Sequence, residues 1–283
     1  MIIKITSQNQ EILSKEQGFV VFLSLDIANS TIYKTSFPNN WMFHYSNFFE
    51  KTRIHFEKNN QVASSKIFKE NGDEVIIIFF PSNRNDFIEI MNESIKAVET
   101  LTEYRKVLID VGLDYKATLF CAGFSEPEPF SVYDKNENRS DSKVYLEFLY
   151  SDYKNYRMHR SISFPNGNHD GQPSSCVIGS IKQYDFIGPD IDIGFRISKY
   201  AEPNKLLVSD KIAFIYDNFF QGEYHFQINK MERLKGVWGD RGYPIIEYTY
   251  NQNSIDYCKL YNDKGNYANP DKFIEKLKNE FKE

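Results

Sequence analysis

The chain has 283 residues, with 34 Lys and Arg against 39 Asp and Glu and a formal net charge of −5. That length allows one large domain or two small ones around a real core. The mixed, slightly acidic charge excludes a general nucleic-acid or membrane-surface binder. No segment is apolar enough to span a bilayer, and the opening MIIKITSQNQ lacks a cationic leader followed by a long apolar stretch, so a cytoplasmic protein with no membrane contact is expected. Cys121, Cys176 and Cys258 stand far apart, form no metal-type pair and are expected to be reduced thiols.

Phe19 to Leu25, FVVFLSL, is a continuous apolar run and predicts a buried strand that Asp26 ends. Polar IANST then leads into a helix expected over about Trp41–Glu57. Lys66–Lys69 and Glu74–Phe80 read as two short strands, and Asn71-Gly72 between them signals a hairpin because both residues tolerate positive φ. A helix is expected over about Asp86–Lys106 and a strand over Leu113–Cys121. Glu126 to about Ser175, turn-rich at both ends with a tyrosine-rich middle, reads as an insertion with structure of its own. The core is expected to resume with a strand at Cys176–Ile187, a helix to about Tyr200, a strand at Leu206–Ser209, and strands near Tyr224–Leu234 and Tyr243–Tyr250. Phe273, Leu277 and Phe281, after Asn269-Pro270-Asp271, mark an amphipathic helix in a C-terminal extension over 251–283. The pattern fits an α+β fold, one mostly antiparallel sheet with helices on it, spanning 1–250 with the insertion at about 126–175.

Several residues stand where chemistry is possible. Asp26 closes an apolar strand and Asp73 follows the hairpin glycine. A carboxylate at a buried strand end is costly unless something positive meets it, and two on adjacent strands can hold divalent ions, with phosphate and water completing the coordination. The competing reading makes Asp26 an N-cap or turn residue and Asp73 a turn residue. The backbone of Ile27, Ala28, Asn29, Ser30 and Thr31 turns toward a helix and offers free N–H groups to phosphate oxygens. In YDFIGPDIDIGFRISKY, Asp185 ends a strand, Gly188 breaks it, and Asp192 and Arg196 lie four apart on one helix face, which equally describes a surface ion pair worth about 0.3–0.5 kcal/mol. Lys69, four residues before Asp73, and Lys235, at a turn before Gly236, are either site cations or plain surface. The five histidines, His44, His55, His159, His169 and His225, have no metal-ligand spacing, and neither a GKS/T phosphate loop nor a nucleophile elbow occurs.

In order and spacing these segments resemble the class III nucleotidyl cyclases, the family of adenylyl and guanylyl cyclase catalytic domains. LSLDIANST is similar to their first motif, with Asp26 and Thr31 in place. KENGD matches Lys-x-x-Gly-Asp at Lys69, Gly72 and Asp73. DFIGPDIDIGFRIS matches Asp-x-x-Gly and the helix arginine at Asp185, Gly188 and Arg196. AEPNKLLVSD follows the pattern of the next turn and strand, and Leu234-Lys235-Gly236 the late phosphate-contacting lysine. The resemblance covers roughly 19–250 outside the insertion. It implies a ferredoxin-like βαββαβ palm with additional strands and a homodimer whose active sites are built from both subunits. It further implies two divalent ions, Mn²⁺ or Mg²⁺, on Asp26, Asp73 and the Ile27 carbonyl. By the same resemblance Ile27–Thr31 cradles the phosphates of a nucleoside triphosphate, Lys69 and Asp185 read the base, Arg196 stabilises charge at the reacting phosphoryl group and Lys235 meets the terminal phosphates. Two departures stand out: the family's helix Asn is Asp192, and the Gly-Phe of its first turn is Asn29-Ser30. Asp192 within IDIGFRIS and the long insertion resemble the pyrimidine cyclases of bacterial Pycsar anti-phage systems, which implies a cyclic UMP or cyclic CMP product, UTP ahead of CTP, and a separate effector protein that the product activates.

Overall fold

The FVVFLSL run, with no charge until Asp26, forms the strand β1, Phe19–Ala28. The computed structural model describes residues 19–59, 62–81, 84–123, 128–131, 143–148, 154–165, 177–220, 223–237 and 242–249. The expected helix near Phe273, Leu277 and Phe281, the whole 251–283 extension, Cys176, Cys258 and His169 lie outside them. β1 does not stop at Asp26 but runs to Ala28, because Asp26 still pairs across to Glu74.

The helices α1, Ser30–Ser36, and α2, Trp41–Arg53, follow. The helix expected to reach Glu57 instead ends in a π-helical turn, Ile54–Asn59. β2, Lys66–Asn71, and β3, Glu74–Phe79, form the expected hairpin, with Gly72 at φ +70 in the left-handed region that the turn requires. The single helix expected over Asp86–Lys106 is two, α3 Arg84–Glu99 and α4 Glu103–Ile109. Thr102 is extended, with φ −76 and ψ 162. This break lets Arg105 turn inward, where its guanidinium donates to Asp114 Oδ1 and Oδ2 at 2.9 and 2.7 Å and to the Val98 carbonyl at 2.6 Å. β4, Asp114–Gly123, completes a βαββαβ unit.

Later in the chain come α5, Pro189–Ile197, β9, Leu206–Val208, α6, Asp210–Phe219, β10, His225–Glu232, and β11, Tyr243–Thr249. The main sheet has the order β10-β11-β9-β4-β1-β3-β2. The neighbours β4-β1-β3-β2 are the ferredoxin-like palm, and β9, β10 and β11 are the additional strands. β1 is antiparallel to β3, and β4 is parallel to β9.

Side chains on a strand alternate between faces. Tyr115 of β4 faces the helices: its ring lies 5.6 Å from Phe48 of α2 and 6.0 Å from Tyr104 of α4. Phe120 points the other way, stacked on Phe22 of β1 at 5.0 Å with 4° between the planes. Phe22, Ser24 and Asp26 therefore share one face of β1, and Lys116, Thr118 and Phe120 the matching face of β4.

A second compact unit contains the described residues between Gly123 and Pro189. Its described strands are β5, Glu128–Ser131, β6, Lys143–Phe148, β7, Lys154–Pro165, and β8, Val177–Ile187, paired antiparallel in that order. This corrects one expectation. The strand at Cys176–Ile187 does not join the main sheet, since β8 pairs along nearly its whole length with β7, from Tyr156↔Ile187 to Pro165↔Val177.

Candidate active site

The β1–β3 register sets Asp26 opposite Glu74, one residue past Asp73, and the Ile27 N–H donates to the Asp73 carbonyl at 3.1 Å. The two residues read from sequence thus stand close along neighbouring strands, Asp26 two residues before the end of β1 and Asp73 just ahead of β3, held there by backbone bonds. Both are half-buried. Burial, first of all, and the negative charge of Asp73 raise the Asp26 carboxyl above its ordinary value, against the pull of Lys116 and Lys34. Glu74 is raised as well, by burial and then by Asp26 and Asp73, against the Ser24 hydroxyl that donates to it at 2.5 Å.

Asn29 follows with φ 61 and ψ 20, the left-handed conformation. Asparagine is among the few non-glycine residues that adopt it readily, so it can take the backbone shape of the glycine it replaces in the resembled motif. Ala28 and Ser30 are buried, Asn29 and Thr31 exposed, and α1 starts at once. Lys34 of α1 lies over the rings of Trp41 and Tyr45 at 5.3 and 4.9 Å, which pins α1 to α2. Tyr45 is 1% exposed. Burial, then the charge of Asp73 and Asp26, pushes its phenol up to about 12, opposed by the adjacent Ser30 hydroxyl. Its hydroxyl has no partner at hydrogen-bonding geometry.

These groups suit a hard divalent cation. Carboxylate and carbonyl oxygens are the donors that Mg²⁺ and Mn²⁺ prefer. The buried, unpartnered Tyr45 hydroxyl adds a polar group near them. No set of three or more His, Cys, Asp or Glu side chains able to hold a metal occurs among the described residues.

A second group forms around α5. Ile193 and Ile197 bury into a cluster with Leu207, Leu234, Val237, Tyr243 and Ile245. Arg196 lies beside the Lys235-Gly236 turn: a Cβ placed on Gly236 comes within 4.0 Å of Arg196 Nη2. Lys235 is exposed and Arg196 half-buried. Asp192 is exposed on the first turns of α5, and no ion pair joins it to Arg196 among the described residues. The carboxylates thus belong to the β1–β3 side of the sheet order and the Arg196–Lys235 group to the β9–β11 side.

Lys69 stands on β2 opposite Ile76, with its ammonium 4.9 Å from the Phe68 ring centre. The alternation expected of that strand is broken, because the register shifts between Ile67 and Lys69 and leaves Phe68 as an extra residue. Asp185, in β8 of the second unit, is half-buried, and its Oδ1 accepts from the Phe186 N–H at 2.9 Å.

The sequence pattern gave no signal for three further features: the Tyr45 hydroxyl, Lys116 beside Asp26 with Nζ 3.0 Å from Oδ2, and the buried ion pair of Lys211 with Asp190, 7% and 3% exposed. That pair ties the start of α5 to α6. Beside it the Tyr243 hydroxyl donates to Asp210 Oδ1 at 2.8 Å and accepts from the Asp210 N–H at 3.0 Å. No helix among the described residues is long and apolar enough to cross a membrane.

No protein-family model matches the chain, and no curated protein sequence does. Solved structures do. The guanylyl cyclase Cya2 is 13% identical, with 84% of this chain and 94% of that one covered at a TM-score of 0.50. The adenylyl cyclase CyaB from P. aeruginosa is 11% identical over 84% and 97%, with a TM-score of 0.49. An adenylate cyclase from Trypanosoma brucei in its monomeric state is 10% identical over 85% and 94%, with a TM-score of 0.48. At such identities the likeness is one of fold: the palm of this chain is the one found in Cya2.

Proposed function

We propose that the protein is a metal-dependent nucleotidyl cyclase, converting a nucleoside triphosphate to its 3′,5′-cyclic nucleotide and pyrophosphate. One observation carries this reading: Asp26, near the end of β1, and Asp73, just ahead of β3, are brought together by the Ile27–Asp73 backbone bond, within a fold shared with a guanylyl cyclase. In the reaction the 3′-oxygen bonds to the α-phosphorus, the bond to the bridging oxygen breaks, pyrophosphate leaves and the hydroxyl proton is lost. Asp26, Asp73 and the Ile27 carbonyl would hold two divalent ions, Mg²⁺ or Mn²⁺, which would supply Lewis-acid polarisation of the α-phosphate and a lower pKa for the attacking hydroxyl. The backbone from Ile27 to Thr31 receives phosphate oxygens. Arg196 offsets charge growing at the phosphoryl group, Lys235 meets the leaving pyrophosphate, and Lys69 contacts the base, the role that the resemblance also gives to Asp185. The protein mostly positions groups and stabilises charge.

The carboxylates and the Arg196–Lys235 group belong to different stretches of the strand order, β1–β3 and β9–β11, which agrees with the two composite sites of a homodimer that the resemblance implies. Asp192 supports a pyrimidine substrate, UTP before CTP. An ionised Asp only accepts hydrogen bonds where the resembled family's Asn also donates, and a mismatched polar partner costs about 1–3 kcal/mol. On the resemblance of IDIGFRIS and of the insertion to Pycsar cyclases, the proposed product, cyclic UMP or cyclic CMP, is a messenger to a separate effector in anti-phage defence.

The test is product analysis. Purified protein given ATP, GTP, CTP and UTP with Mn²⁺ is expected to yield a cyclic pyrimidine nucleotide, identified by mass. Asp26→Ala and Asp73→Ala are each expected to reduce the yield at least a hundredfold, as removal of strong transition-state stabilisation does. A main product of cyclic AMP or cyclic GMP refutes the pyrimidine assignment alone. Near-normal turnover by either variant refutes the metal-ligand assignment.

A further inference from the structure

Asp26 is paired with a cation of the protein's own. Lys116 is the third residue of β4 and shares a sheet face with Asp26. Its Nζ lies 3.0 Å from Asp26 Oδ2, and the two side chains are 25% and 31% exposed. The contact is therefore partly open to solvent. On the acidic side Asp26 is joined by Asp73 and Glu74; on the basic side Lys34 acts on Asp26 besides Lys116.

A divalent ion on Asp26 and Asp73 uses the same carboxylate oxygens. Mg²⁺-type coordination is demanding in geometry, and the ammonium already occupies one lone-pair direction of Oδ2. It also places a positive charge a few ångströms from the incoming ion, in a half-buried setting where screening is incomplete. A triphosphate changes this balance, because it brings negative charge for both cations.

Taking Asp26 and Asp73 as metal ligands, as above, we propose that Lys116 is an internal counter-cation: it neutralises Asp26 in the nucleotide-free protein and keeps divalent-ion affinity low until the triphosphate arrives. Lys116 is thus a positioning residue that acts through Asp26, and it makes metal and nucleotide binding mutually dependent.

The experiment is Mn²⁺ titration of the full chain without nucleotide, following free Mn²⁺ by electron paramagnetic resonance. Lys116→Met is expected to bind Mn²⁺ at least about tenfold more tightly than wild type, the direction set by removing a like charge from the site. Lys116→Arg is expected to restore the weak affinity, and Asp73→Asn added to Lys116→Met to abolish the gain. With a non-cyclisable α,β-methylene triphosphate analogue, the gap between wild type and Lys116→Met should narrow. Lys116→Gln serves as the second neutral variant if Lys116→Met does not give the wild-type circular dichroism. Asp73-dependent Mn²⁺ binding that is unchanged or weaker in the neutral variants overturns the role of Lys116. Binding that depends on Asp73 in no variant overturns the metal-ligand reading itself, and the inference with it.

Discussion

Gly194→Ala tests how α5 is seated. A Cβ placed on Gly194 falls 2.2, 2.4 and 2.5 Å from Cδ2, Cγ and Cε2 of Phe120, where carbon atoms normally rest about 3.5–4.0 Å apart. The ring cannot swing clear. Phe120 is fully buried, stacked on Phe22 at 5.0 Å and packed against Phe195 at 5.7 Å. Alanine gains roughly 0.8–1.0 kcal/mol over glycine from helix propensity, while overpacking a filled core costs about 1–3 kcal/mol. With a clash of more than about 1 Å against ring atoms, the upper part of that range applies. The net is a loss of roughly 1–2 kcal/mol, which for a chain of this size lowers Tm by roughly 2–8 °C. The same shift lifts α5, with Arg196 and Asp192, off its seat, so kcat should fall at least about tenfold. Thermal melting followed by circular dichroism and a turnover assay on the same preparation measure both effects. Phe120→Leu combined with Gly194→Ala should recover more stability than independent sites allow, since the two side chains compete for one space. A Tm equal to or above wild type for Gly194→Ala would falsify the close packing of α5 on β4.

Two further expectations follow from the site. Mixing inactive Asp26→Ala with inactive Arg196→Ala protein under subunit exchange should restore about a quarter of wild-type activity, because roughly half the dimers are mixed and each then has one intact composite site; no recovery despite demonstrated exchange counts against shared sites. Glu74→Gln should melt higher than wild type at pH 8, with the difference shrinking as pH falls toward the carboxylate range. The Glu74 carboxyl is raised, chiefly by burial, so the stability it contributes is fully present while it is protonated and is lost as pH rises through its folded-state value. Gln accepts the same Ser24 hydrogen bond without carrying charge. Parallel melting curves with a pH-independent offset would refute that account.

Much of the main sheet was legible because local signals and global fold agree. The uncharged FVVFLSL run and the Asn-Gly turn determine β1 and the β2–β3 hairpin by themselves. What escaped depends on partners distant in sequence. STIYKTS shows no helical periodicity, and its Ile32 is 67% exposed; α1 is held instead by Lys34 on Trp41 and Tyr45. The break between α3 and α4 serves Arg105, whose acceptor Asp114 lies on β4. β8 reads as one more core strand, because nothing in VIGSIKQYDFI reveals that its partner is the insertion's own β7.

The site divides along the same line. Asp26 and Asp73 were legible because a carboxylate after an apolar strand, and another after a hairpin glycine, are costly where they stand, and cost is visible in sequence. Lys116 was not. In DYKATLF a lysine alternating with buried residues reads as a solvated strand position, and only the β4-next-to-β1 order turns its side chain onto Asp26. Tyr45 was hidden for the opposite reason: a tyrosine among helical aromatics reads as core, which its ring is, and the hydroxyl left without a partner appears only once Ser30 and the two aspartates are in place. Residues that carry a cost by themselves are visible in sequence, whereas a contact such as Lys116 on Asp26 becomes visible only once the fold has made it.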